Sequence, residues 1–207
     1  MYRRPIALLA GLILLNGAAF AQIGNPAGMG ADTAMSKPGV PAPHQTNNQD
    51  RLFAQLAAAG GLAEVELGKM ASGKAKADAA KQFADMMVRD HTDANSKLRE
   101  LADAAKIPLP TALDPDHQAV RDQLDRLDDE AFDAAYIKAQ IVDHQKTAQL
   151  LAWEISLGED AEMQRLAASM LPVVLAHLRH AQEINAALTG AAIRLPPQTM
   201  AANKPKP

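Results

Sequence analysis

The sequence predicts an all-α protein, an antiparallel four-helix bundle with one short extra helix between its two helix pairs. Three observations lead there. Between about Asp50 and Leu188 the composition is dominated by Ala, Leu, Lys, Gln and Glu, with no alternating β-branched runs and no Asn-Gly or Asp-Gly hairpin signals. Apolar residues in that stretch recur at spacings alternating between four and three, the narrow seam that near-parallel helices bury against one another. Glycine, proline and capping residues cut it into four long segments of similar length.

Taken in order, the chain opens with Arg3 and Arg4, an apolar stretch from Ile6 to Leu15, and small residues ending in Ala19-Phe20-Ala21. This is the pattern of a secretory signal peptide (residues 1–21) cleaved after Ala21, and its apolar stretch is too short to cross a bilayer as a helix. Residues 22–49 are rich in Gly, Pro, Met and Ala without periodicity and read as a flexible leader. The folded domain is expected over residues 50–189. Its helices are placed at Asp50–Ser72, Asp78–Ala105, Glu130–Leu157 and Asp160–Leu188. The first turn, Gly73 to Asp78, looks like a C-terminal glycine followed by a helix cap. Ile107-Pro108-Leu109-Pro110 breaks the chain before a short helix near Pro115–Leu127, and Gly158-Glu159-Asp160 makes the last tight connection. Pro172 should kink the final helix, because it removes a backbone donor. Residues 190–207, with Pro196, Pro197, Pro205 and Pro207 beside Lys204 and Lys206, read as a flexible tail.

Composition excludes several functions. The 207 residues carry a net charge of -3 and no run of Lys or Arg, so there is no basic field for nucleic acid. Losing Arg3 and Arg4 with the signal peptide makes the mature chain more acidic still. With no cysteine there is no disulfide, thiolate nucleophile or zinc ribbon, so a metal would have to be held by His, carboxylates or Met. No nucleophile elbow, phosphate loop or Ser/His/Asp signature is present. After signal cleavage no transmembrane span remains; the expected location is periplasmic, with at most loose envelope association and an open oligomeric state.

The seams carry the functional signal. Ala80, Ala84, Met87, His91, Ala94, Leu98, Leu101 and Ala105 form one stripe, and Ile137, Ile141, His144, Ala148, Leu151 and Ile155 another. A third runs through Met163, Ala167, Met170, Val174, His177, Ala181, Ile184 and Leu188, so each contains a single histidine. The first helix has two equally regular stripes. One of them contains Glu66 and the other is wholly apolar, so Glu66 is a less secure inward candidate than the histidines, with Glu64 a weaker neighbour; either could be the fourth ligand. Counted from the last turn, His144 and His177 differ in depth by three residues, roughly 4.5 Å. Three imidazoles and a carboxylate converging in a bundle core form a natural shell for one transition metal, Fe, Zn, Mn or Cu. Met70, Met87 and Met170 on the seams would favour copper if they faced the histidines, and otherwise fill the core. Asp90 and Asp143 precede two of the histidines but point about 100° away from them, so they are not automatic ligands and are expected either to be solvated or to orient rings. His180, three residues after His177, could join them from the seam's edge, and His117 beside the proline break is expected to be exposed.

FAQLAAAGGLAEVELGKMASGKA (Phe53–Ala75), KQFADMMVRDHTDAN (Lys81–Asn95), FDAAYIKAQIVDHQKTAQLL (Phe132–Leu151) and LPVVLAHLRHAQEI (Leu171–Ile184) resemble the bacterial exported family called domain of unknown function 4142. The resemblance covers nearly all of the expected domain. It implies a ferritin-like four-helix bundle behind a signal peptide, often labelled a predicted outer-membrane protein, and supplies no established activity. The family motifs include Glu64, Glu66, His91, His144 and His177 but assign them no proven role. A di-iron site of the ferritin type needs Glu three residues before its ligand histidines. Here those positions hold Val88, Ile141 and Val174, which favours a mononuclear or small non-haem centre. The alternative is a cofactor-free periplasmic stress or interaction protein whose histidines are structural or sense pH. An oxidoreductase using the same site with oxygen or peroxide ranks third.

Overall fold

The computed structural model describes residues 35–37, 40–41 and 44–190; the expected signal peptide and most of the expected tail lie outside them. A two-residue-deep antiparallel ladder pairs β1 (Met35–Lys37) with β2 (Val40–Pro41), inside the segment read from sequence as a leader. The helices follow: α1 (Asn48–Lys74), α2 (Asp78–Ala104), α3 (Pro115–Asp125), α4 (Asp129–Leu157) and α5 (Ala161–Leu188). The four long ones form a bundle in which α1 packs on α2 and α4, and α5 packs on α4 and α2.

Two buried aspartates set the helix directions. Near the start of α4, Asp133 accepts hydrogen bonds from the backbone N–H of Lys76 (2.9 Å) and Ala77 (2.7 Å), in the α1–α2 turn. Near the start of α1, Asp50 accepts from Glu159 (2.9 Å) and Asp160 (3.1 Å), in the α4–α5 turn. Each of these helices therefore begins at the other's hairpin turn, so α1 and α4 run antiparallel and the two turns lie at opposite ends of the bundle. The link from α2 to α4 must travel the bundle's length, and α3 lies along that crossover, the long connection some four-helix bundles use. Asp114 caps α3 by accepting from Asp116 and His117 N–H, with Pro115 in the first turn, where a missing N–H costs nothing.

The first turn departs from expectation. Gly73 lies inside α1, Ala77 makes no side-chain cap, and the cap comes instead from Asp133 across 56 residues of sequence. Pro172 does not end α5, which runs through it with the ring on the exposed face.

Close approach of α1 to α2 depends on glycine. A Cβ at Gly68 would lie 2.9 Å from Val88 Cγ2 and 3.1 Å from the Ala84 carbonyl, and one at Gly61 would fall 1.9 Å from Asn95 Oδ1. At the α4–α5 end Gly158 leaves room for two carboxyl groups, since a Cβ there would meet Glu154 Oε1 at 2.3 Å and Asp50 Oδ1 at 2.8 Å. Glu154 is fully buried. Burial and the nearby charge of Asp50 push its carboxyl up to about 9, so at neutral pH it is protonated.

The apolar core falls into two clusters. One, toward the α1–α2 turn, is built on Leu67, Phe83, Met87, Leu124, Phe132, Tyr136 and Ile184. The other, toward the α4–α5 turn, is built on Phe53, Leu98, Leu151, Met163 and Val174. Between them lies a polar waist.

Candidate metal centre

The waist is made by one residue from each of three helices. On α2, His91 lies one turn beyond Met87 and two before Leu98; on α4, His144 lies two turns from both Ile137 and Leu151; on α5, His177 follows Val174 by three. All of these neighbours are buried core residues. The spacing of seven or fewer carries each ring to the same inward face as the apolar residues around it. His91, His144 and His177 are 6, 1 and 4 % exposed. Their ring centroids stand 5.6 Å (His91–His144), 5.8 Å (His91–His177) and 5.5 Å (His144–His177) apart. One ring nitrogen from each lies within 4.8 Å of the others, and among the described residues no carboxylate joins that group.

Hydrogen bonds orient two of the rings. His144 Nδ1 donates to the Gln140 carbonyl at 2.9 Å. A carbonyl only accepts, so the proton sits on Nδ1 and the lone pair on Nε2. His177 Nε2 donates to Asp90 Oδ2 at 3.0 Å, which leaves its lone pair on Nδ1. His91 Nε2, His144 Nε2 and His177 Nδ1 have no hydrogen-bond partner among the described residues. Three buried nitrogens, one per ring, are thus left without a protein partner, each at a desolvation cost of about 1–3 kcal/mol if nothing binds them.

Electrostatics keep the rings neutral. Burial and the neighbouring His144 and His177 bring His91 down to about 3, and burial and His177 bring His144 down to about 4. Burial also lowers His177, against the pull of Asp90. Neutral imidazoles are the form that ligates a cation.

Glu64 is the carboxylate that reaches the waist, and the expectation for Glu66 is corrected. Glu64 is 2 % exposed with Oε1 3.5 Å from His144 Nδ1, the protonated side of that ring, so it stands behind the ligand nitrogen. Glu66 is exposed and pairs at 2.6 Å with Arg121 of α3. The buried face of α1 runs through Phe53, Ala54, Ala58, Gly61, Glu64, Leu67, Gly68 and Ala71. Two glycines belong to that face, and a search for apolar stripes passes over them.

Behind Glu64 a chain of ionisable groups leads outward. Burial, the Asp143 charge and a hydrogen bond to Asp143 hold the Glu64 carboxyl well above its usual range. Burial raises Asp143, but hydrogen bonds from His117 and Glu64 bring it below its ordinary value. His117 Nε2 faces Asp143 Oδ1 at 3.3 Å and Nδ1 bonds Asp114. Asp143 and Asp114 outweigh burial and push His117 up to about 9. His117 is therefore a half-buried cation clamping α3 to α4, not the exposed residue expected. Asp90 and Asp143 do orient histidines, but on other helices than their own. His180 stays out of the trio and packs its ring 5.5 Å from Phe83. Sequence reasoning missed Gln140, whose carbonyl no side-chain pattern could announce.

Among known proteins, the family described as a domain of unknown function (DUF4142) matches residues 35–184. None of the curated proteins matches the chain. Solved structures are similar at low identity. A DUF305 fragment from Deinococcus radiodurans aligns with a TM-score of 0.63 at 14 % identity, covering 70 % of this chain and 99 % of that one. CopM in its Cu(II)-bound form aligns at 0.58 and 19 % identity, covering 66 % and 95 %. CopM in its Ag-bound form aligns at 0.55 and 20 %, covering 65 % and 93 %. At these identities the likeness is one of fold.

Proposed function

Because the chain belongs to the domain of unknown function 4142 family, for which the resemblance supplies no activity, we propose a function from the site itself: an exported protein that binds one transition-metal ion in its bundle core through His91, His144 and His177. The observation that carries this is that three rings from three helices each bring a nitrogen within 4.8 Å of the others, and each ring holds a buried nitrogen with no protein partner. A cofactor-free reading leaves those nitrogens buried and unsatisfied; a single cation satisfies all three. First-row ions hold imidazole nitrogens about 3.3 Å apart, so the rings need to close by roughly an ångström each.

The donors point to the metal class. An all-imidazole set suits Cu, Zn or Fe better than Mn, and Met170 lining the space beside His91 and His177 tips the choice toward copper. The likeness to CopM, crystallised with Cu(II), Cu(I) and Ag, supports the same choice. The Gln140 carbonyl and Asp90 act behind the ligands, fixing which nitrogen of His144 and of His177 is free, and Glu64 stands beside the protonated edge of His144. The long crossover supports a ferritin-like reading of the bundle, without the carboxylates of a di-iron site. Export, with cleavage after Ala21, rests on the signal-peptide pattern of residues 1–21. No described helix is long and apolar enough to cross a membrane.

Titration with Cu(II), Cu(I) under anaerobic conditions, and Zn(II), followed by thermal melting, tests the proposal. One equivalent should bind and raise the melting temperature, by about 4 kcal/mol of stability at a free metal concentration 1,000 times Kd. His144→Ala combined with His177→Ala should abolish both effects. Full metal binding by that variant would refute the assignment.

A further inference from the structure

The three histidines do not close the centre on every side. Toward the α1–α2 turn Phe83 covers them, its ring centroid 6.4 Å from His144 and 6.5 Å from His177. Toward α1 stand Glu64 and Gln140, both 2 % exposed or less. Between α2 and α5, however, a cleft of about 290 Å³ opens onto His91 and His177, walled by Ala94, Met170, Val173 and Val174. Asp90 also lines it but is committed, with Oδ2 on His177 Nε2 and Oδ1 on Arg89 Nε at 2.9 Å.

We propose that this cleft is the mouth of the centre, through which a small Lewis base, of the class of azide or imidazole, reaches a coordination position that the three histidines leave open on the metal. The inference rests on the metal reading above and goes beyond it. Structural metal sites are closed by four protein donors, whereas three donors and an open position mark sites that exchange ligands. Here no carboxylate joins the trio among the described residues, and the open side is the cleft side. Its volume suits one small ligand or several waters. Its lining combines the apolar Ala94, Leu166, Met170, Val173 and Val174 with Asp93, Lys97 and Ser169, so a small ligand entering it passes an apolar wall and a lysine that attracts an anion.

The test uses the full chain loaded with cobalt(II), whose visible absorption reports its coordination, titrated with azide. The wild type should show a saturable spectral change. Ala94→Phe on α2 and Val173→Trp on α5 narrow the cleft from its two walls without touching a ligand; Val173 is 43 % exposed, so a larger side chain there leaves the core alone. Either variant should keep its cobalt and its azide-free spectrum while the azide concentration at half-saturation rises roughly tenfold or more. Cobalt bound with a spectrum indifferent to azide would overturn the open position and leave the metal assignment standing. An azide response unchanged in both variants would overturn the cleft as the route. Failure of the wild type to retain cobalt would overturn the metal reading itself, and this inference with it.

Discussion

Replacing Glu154 by glutamine should stabilise the protein, and by an amount that depends on pH. The Glu154 carboxyl is fully buried beside Asp50 and titrates at about 9, against 4.5 when solvated. A carboxyl whose folded value is raised contributes its full stability only below the solvated value, and that contribution is lost as pH climbs toward the folded one. At pH 7.5 the gap is three pH units above 4.5, each costing about 1.4 kcal/mol, which sets an upper bound near 4 kcal/mol. Glutamine keeps the shape and brings an amide donor beside Asp50 but does not titrate. Glu154→Gln should therefore gain about 2–4 kcal/mol at pH 7.5, and the gain should shrink toward zero near pH 4.5. Urea unfolding of both proteins at half-unit steps from pH 4.5 to 8.5 measures it. A difference that does not change with pH, or a variant less stable than the wild type at pH 8, would refute a protonated Glu154.

Other expectations follow from the packing. Gly68→Ala drives a methyl into Val88 Cγ2 and the Ala84 carbonyl, and should cost about 1–2 kcal/mol by denaturant titration after its gain in helix propensity. Asp133→Ala strips the acceptor from two turn N–H groups and should lower stability by about 2–3 kcal/mol, with faster hydrogen exchange at Lys76 and Ala77. Lys106 ends α2 in the left-handed region at φ 55°, so Lys106→Gly should raise the melting point by the equivalent of about 0.5–1 kcal/mol.

Much of this arrangement was legible in the sequence. The helices lie within two residues of where periodicity and punctuation put them, because long amphipathic segments and their breakers are local signals. The three histidines stood out for the same reason: each interrupts an otherwise apolar stripe, and the turn at Gly158 fixes the relative depth of His144 and His177. What escaped is non-local. Glu64 could not be separated from Glu66, because α1 buries alanines and glycines whose side chains carry almost no hydrophobic signal; its inward face is defined by how closely α2 approaches at Gly61 and Gly68. Asp50 and Asp133 give no signal in the sequence beyond acids near helix starts, and the turns they hold lie 56 to 110 residues away. The cleft between α2 and α5 likewise depends on helix spacing, which no one segment encodes.

The most direct measurement is elemental analysis of the full chain, expressed with residues 1–21 in place and purified without chelator, beside a variant in which His91, His144 and His177 are all alanine. About one equivalent of a transition metal in the wild type, copper first among the candidates, and none in the variant is the expected result. Equal metal in the two proteins, or none in the wild type even after loading, would contradict a metal centre at the waist of this bundle.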